Sequence, residues 1–104
     1  MIYDIIIRIN IIICPIERRT IMLEFRYDTQ LLIEGENLDE DAINDYIIEN
    51  FKGDSLIAVG DEELIKIHYH TNEPWKLLEY CSTLGEIFDI VVEDMDRQSR
   101  GLKG

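Results

Sequence analysis

The sequence predicts an α+β fold, a split β-α-β-β-α-β sandwich of ferredoxin-like topology with an extra N-terminal strand. Three observations predict it. Apolar residues alternate at strand spacing in 24–34 and 64–70, and recur at helical spacing in 38–51 and 74–84. Glycine, proline and acidic clusters punctuate these runs at Gly35, Gly53, Gly60-Asp61, Pro74 and Gly85. Two strands, Leu56–Val59 and Leu64–His70, are separated by a four-residue acidic turn and read as a hairpin between the helices. Right-handed crossovers on either side of that hairpin place both helices on one sheet face. They also place the first and third strands of the unit side by side at its centre.

A chain of 104 residues builds one small domain. It is 46% hydrophobic and 31% charged, a globular rather than disordered balance. A net charge of −12 argues against nucleic acid and against anionic membranes. Cys14 and Cys81 lie far apart and form no C-x-x-C pattern, which fits a reducing cytoplasm.

Residues 1–22 form a separate extension. Ile5-Ile6-Ile7 and Ile11-Ile12-Ile13 are broken by Arg8 and Asn10, so the stretch is too short and interrupted to span a membrane. Its β-branched residues favour a strand. The alternative is that Met22 is the original start and the preceding residues a by-product of gene breakage. The domain proper is 23–98, with a polar tail in 99–104.

Glu24 to Glu34 is the first strand of the unit. Phe25, Tyr27, Thr29, Leu31 and Ile33 share one parity; Arg26, Asp28, Gln30 and Leu32 share the other. Gly35 ends it. Asn37 is placed to cap the first helix, with Asp39, Glu40 and Asp41 in the first turn, where acids complement the dipole. Ile43, Tyr46, Ile47 and Phe51 form its inward stripe, and Lys52-Gly53 closes it. Asp61, Glu62 and Glu63 form an exposed acidic turn. Thr71 or Asn72 caps the second helix, with Pro74 in its first turn. Trp75, Leu78 and Cys81 recur along it with Leu77 beside them, and Cys81 reads as a buried, inert thiol. Ile87 to Val92 is the last strand, and residues 93–100 leave the domain as a polar tail.

The residues that stand out are His68 and His70, the two histidines of the chain. Two positions apart in a strand, they share a face, while Ile67 and Tyr69 take the other. Two imidazoles on one face can grip a cation. The topology sets the strand of Asp28 next to theirs, so Asp28 can join them.

Four segments carry a resemblance: Phe25-Arg26-Tyr27-Asp28-Thr29-Gln30, Gly53 to Asp61, Ile67-His68-Tyr69-His70-Thr71-Asn72-Glu73-Pro74, and Glu93 to Gln98. From about Leu23 to Gln98 the chain resembles the middle domain of the bacterial fatty acid kinase catalytic subunit, of the dihydroxyacetone-kinase-like group. The resemblance implies a homodimerising module with a metal site, typically zinc. In the family that site uses the His-x-His pair and a cysteine on the first strand. His68 and His70 match the pair; the cysteine position is Asp28, which replaces soft sulfur with hard oxygen. The family's other domains bind ATP and meet a fatty-acid-binding partner. No G-x-x-x-x-G-K-[ST] loop occurs in this sequence, so no nucleotide is expected on it.

The leading expectation is therefore a non-catalytic middle module holding zinc through His68, His70 and Asp28, with a fourth position open. Such a site needs neutral imidazoles and weakens in acid. One alternative is a ligand-binding or oligomerisation domain without metal. Another is an acid–base enzyme in which Asp28 orients His68 or His70, with Thr29 or Thr71 as the nearest nucleophile.

Overall fold

The structure is a computed structural model that describes residues 23–104. The strand expected in the isoleucine-rich extension, and Cys14, lie outside the described residues. Seven elements follow in order: β1 (Tyr27–Glu34), α1 (Glu40–Asn50), β2 (Gly53–Gly60), β3 (Leu64–Thr71), α2 (Pro74–Leu84), β4 (Glu86–Asp94) and α3 (Met95–Ser99).

The strands form one sheet in the order β2-β3-β1-β4, and every neighbouring pair is antiparallel. This is the split β-α-β-β-α-β topology, with β1 and β3 central. Register sets Asp28 opposite His70 and Gln30 opposite His68.

The strand parities separate two environments. Thr29, Leu31 and Ile33 of β1, and Ile65, Ile67, Tyr69 and Thr71 of β3, are buried. They pack beneath Ile43 and Ile47 of α1 and Leu77 and Cys81 of α2. Neither α1 nor α2 lies over the other parity. It carries Asp28, Gln30, His68 and His70, and beside them the exposed Ile57, Val59, Phe88 and Val91.

Several expected details shift by a residue or two. Asp39, not Asn37, caps α1, accepting the Ala42 N–H at 3.1 Å. Asn37 instead turns the chain at φ 55, a conformation asparagine tolerates. Glu73 occupies the cap position of α2, with Pro74 at the first helical position. Asn72 clasps the chain as it enters β1: it accepts the Arg26 N–H at 2.7 Å and donates to the Glu24 carbonyl at 3.0 Å. The stripe of α2 is Pro74, Leu77 and Cys81; Trp75 is 59% exposed. In α1, Tyr46 lies at the edge and stacks on Tyr80 of α2 with ring centroids 4.0 Å apart.

Residues 93–99 do not leave the domain. β4 runs on to Asp94, whose carboxylate caps α3 by accepting the Arg97 N–H at 3.1 Å. Met95 is buried. Arg26 holds this end in place through its Nε, 3.0 and 2.9 Å from the two Asp94 oxygens. A charge-assisted, forked pair of this kind fixes geometry as well as supplying energy.

Candidate metal centre

The site is built where the two central strands present their uncovered parity. His68 and His70 rise from β3 and tilt toward each other, ring planes 75° apart and centroids at 4.9 Å. Their Nε2 atoms converge to 3.2 Å. Asp28 reaches across from β1, its Oδ1 at 2.9 Å from His68 Nε2 and 3.9 Å from His70 Nε2. The three side chains are 13–23% exposed, half-buried in a shallow polar patch.

These distances can be compared with what a metal requires. Donor atoms at about 2.1 Å from a tetrahedral zinc stand about 3.4 Å from one another. The observed edges, 2.9, 3.2 and 3.9 Å, bracket that spacing. Two imidazole nitrogens and one carboxylate oxygen are an accepted zinc donor set, and three-ligand protein sites take a fourth ligand from water or substrate. The residues therefore fit the ion. His68, His70 and Asp28 would hold it, and a bound zinc would act there as a Lewis acid or a structural tie.

Two further side chains touch this trio, and the sequence reading missed both. Gln30 Nε2 lies 3.4 Å from each Asp28 oxygen. Asp54 Oδ1 lies 3.3 Å from His70 Nδ1. Gln30 was findable, since it shares the parity of Asp28 two residues on. Asp54 was not, because it is delivered by a bulge. Four residues of β2 (54 to 57) span three of β3 (70 to 68), and Ser55 within the bulge has φ 57. A bulge re-aims the side chains around it.

Backbone proximity holds this corner tight. Gly53 runs so close to the His70 carbonyl and the Tyr69 ring that an added Cβ would meet both. Tyr69 donates its hydroxyl to the Phe51 carbonyl at 2.7 Å, and Thr71 donates to the Lys52 carbonyl at 2.8 Å. The end of α1 is thus fastened to β3 just behind the histidines. Burial raises the Tyr69 phenol above its ordinary value, so the hydroxyl stays a donor at neutral pH.

The other chemical candidates disperse. Thr29 and Thr71, the hydroxyls considered as nucleophiles, lie on the helix-covered side of the sheet, behind the histidines rather than beside them. Cys81 is fully buried, and burial pushes its thiol up to about 12, which suits packing and not nucleophilic attack. In the acidic turn, Asp61 accepts the Glu63 and Leu64 N–H groups, both at 2.9 Å. Those two bonds, in that order of weight, lower its pKa. Asp61 closes the hairpin rather than holding an ion. Among the described residues, Asp28, His68 and His70 are the one group of three or more potential metal donors within 4.8 Å of one another. No helix among these residues is long and apolar enough to cross a membrane.

Fold and site together define a ferredoxin-like α+β module with a His-x-His and carboxylate cluster on its uncovered sheet face. The family model for the FakA-like middle domain of fatty acid kinase matches residues 24–102, and the chain belongs to that family. Similar stretches occur in uncharacterized proteins of Staphylococcus aureus strains USA300, NCTC 8325 and COL, each 44% identical over 48 residues. The match takes in 46% of this chain but 9% of each of those relatives, so it spans a small part of their length.

Proposed function

We propose that this chain acts as a non-catalytic middle module of a fatty acid kinase system, and that it holds zinc through Asp28, His68 and His70. The observation that carries the proposal is the convergence of three donor atoms from adjacent strands, with edges of 2.9, 3.2 and 3.9 Å. Family membership supports the module; the donor set supports the metal. Nucleotide binding and phosphoryl transfer fall to other domains in this reading, and a reducing cytoplasmic setting suits the deeply buried Cys81.

Metal analysis tests it directly. Tag-free protein, dialysed and then titrated with zinc against a chromophoric chelator, should bind one equivalent. The His68→Ala, His70→Ala double variant should keep its fold and retain none. Equal retention by both proteins would remove the site from the account.

The exposed Ile57, Val59, Phe88 and Val91 around the cluster favour a second element of the reading. They lie on the two edge strands, on either side of the polar cluster, and offer apolar contacts to a partner surface. We propose a second copy of this chain as the occupant. Sedimentation of the full chain should show a dimer that Val91→Asp dissociates without unfolding; a monomer at every concentration would refute it.

A further inference from the structure

We infer that Asp54 is a positioning residue of this centre, which fixes the proton of His70 on Nδ1 and so presents the Nε2 lone pair to the ion. The inference deepens the metal reading and rests on it for its purpose, though not for its geometry.

A neutral imidazole carries one proton on one of two nitrogens, and the partner of one nitrogen decides the role of the other. His70 Nδ1 has a carboxylate oxygen at 3.3 Å, that of Asp54. An acceptor there favours Nδ1–H. Nε2 is then an unprotonated donor atom, already aimed at the space between Asp28 and His68. In metal sites a carboxylate or carbonyl behind a histidine commonly does this, and its loss costs affinity.

The two histidines are not equivalent in this respect. Among the described residues His68 Nδ1 has no partner, whereas His68 Nε2 is 2.9 Å from Asp28 Oδ1. Without an ion, His68 therefore keeps its proton on Nε2, where it donates to Asp28 while His70 Nε2 faces it as an acceptor at 3.2 Å. To offer Nε2 to an ion, His68 would have to carry its proton on Nδ1 instead, giving up the Nε2 proton to solvent and taking one from it. His70 needs no such change. One ligand is set in advance and the other adjusts.

The backbone shows why Asp54 can do this. β2 carries one extra residue opposite the histidine pair, and Ser55 adopts φ 57 to accommodate it. In this register Asp54 stands opposite His70 itself. Non-glycine residues at positive φ cost energy and persist where the surroundings enforce them. Here the enforced feature aims a carboxylate at His70.

Nitrogen-15 correlation spectra of the imidazoles in the metal-free full chain test the inference without any ion. The spectra are recorded at about pH 8.5, well above the value of a free histidine, about 6.5. His70 should appear as the Nδ1–H form and His68 as the Nε2–H form. Asp54→Ala should move His70 toward the Nε2–H form that free imidazoles prefer. Asp54→Asn, whose amide oxygen still accepts, should hold it largely in place. Zinc titration of the same proteins should then show about tenfold weaker binding for Asp54→Ala, with Asp54→Asn between it and the parent. A parent spectrum with His70 as Nε2–H, or an Asp54→Ala protein with unchanged tautomer and unchanged affinity, overturns the inference. Failure of the parent to bind zinc refutes the metal reading instead, and the spectra still decide the role of Asp54.

Discussion

Asp28 and Thr29 are sequence neighbours that face opposite environments, and each makes a separate claim about chemistry. Asp28 contributes hard oxygen to a site with two borderline nitrogens. Replacing it with cysteine supplies softer sulfur at the same strand position, and zinc prefers that mixture. Asp28→Cys should tighten zinc binding and give the cobalt-loaded protein a thiolate charge-transfer band; an unchanged affinity and no new band would place the metal elsewhere. Thr29 is fully buried beneath the helices, and its Oγ1 has no hydrogen-bond partner among the described residues. A buried polar atom without a partner costs about 1–3 kcal/mol by mutational measures. Thr29→Val keeps the shape and removes the hydroxyl, so chemical denaturation should show a gain of about 1 kcal/mol with zinc affinity unmoved. The histidine pair was legible in the sequence because strand parity puts alternate residues on one face. Asp54 was not, because parity arguments assume an unbroken strand and the bulge breaks it.

At the scale of elements, the corner where α1 passes into β2 decides whether the site is held. Gly53 has no room for a side chain between the His70 carbonyl and the Tyr69 ring. Gly53→Ala must push one of them away, with an expected loss of about 1–3 kcal/mol in stability and a parallel loss of zinc affinity. Ser55→Gly is the complementary change: it relieves the φ of 57 and should leave stability the same or slightly higher. Reversed outcomes would mean that the bulge is not the geometry that aims Asp54.

The Arg26–Asp94 pair joins the start of β1 to the cap of α3. The hydrogen bond from Arg26 is the largest cause holding the Asp94 pKa below its ordinary value, with the Arg97 N–H helping. A carboxylate depressed on folding adds stability that is present above its unfolded pKa, about 3.9, and is lost as pH falls through the lower folded value. Thermal melts should therefore show part of the acid destabilisation below about pH 4 vanish in Arg26→Ala, together with a lower melting temperature at pH 7. Element order was readable from periodicity and punctuation. The caps were less so, because Asn37, Asp39, Thr71 and Asn72 are all competent cap residues and tertiary contacts chose among them. The short helix α3 escaped notice because a five-residue element carries one inward side chain, Met95, and so no period to detect.

At the scale of the whole molecule, the sheet has one face packed by α1 and α2 and one that these two helices leave uncovered, and the chemistry sits on the latter. The covered face explains the fold: its isoleucines, leucines and Tyr69 form a continuous core. The uncovered face brings together three of the four segments singled out in the sequence, since Asp28, Asp54, His68 and His70 come from them and meet within it. The fourth, Glu93 to Gln98, forms the end that Arg26 ties down. A net charge of −12 adds a background attraction for cations but does not select this site; the convergence of donor atoms does.

X-ray absorption at the zinc edge of the tag-free, zinc-loaded full chain tests that convergence most directly. The account requires two imidazole nitrogens and oxygen ligands at about 2.0–2.2 Å, with no sulfur shell. A spectrum showing sulfur, or oxygen ligands alone without imidazole, would contradict it.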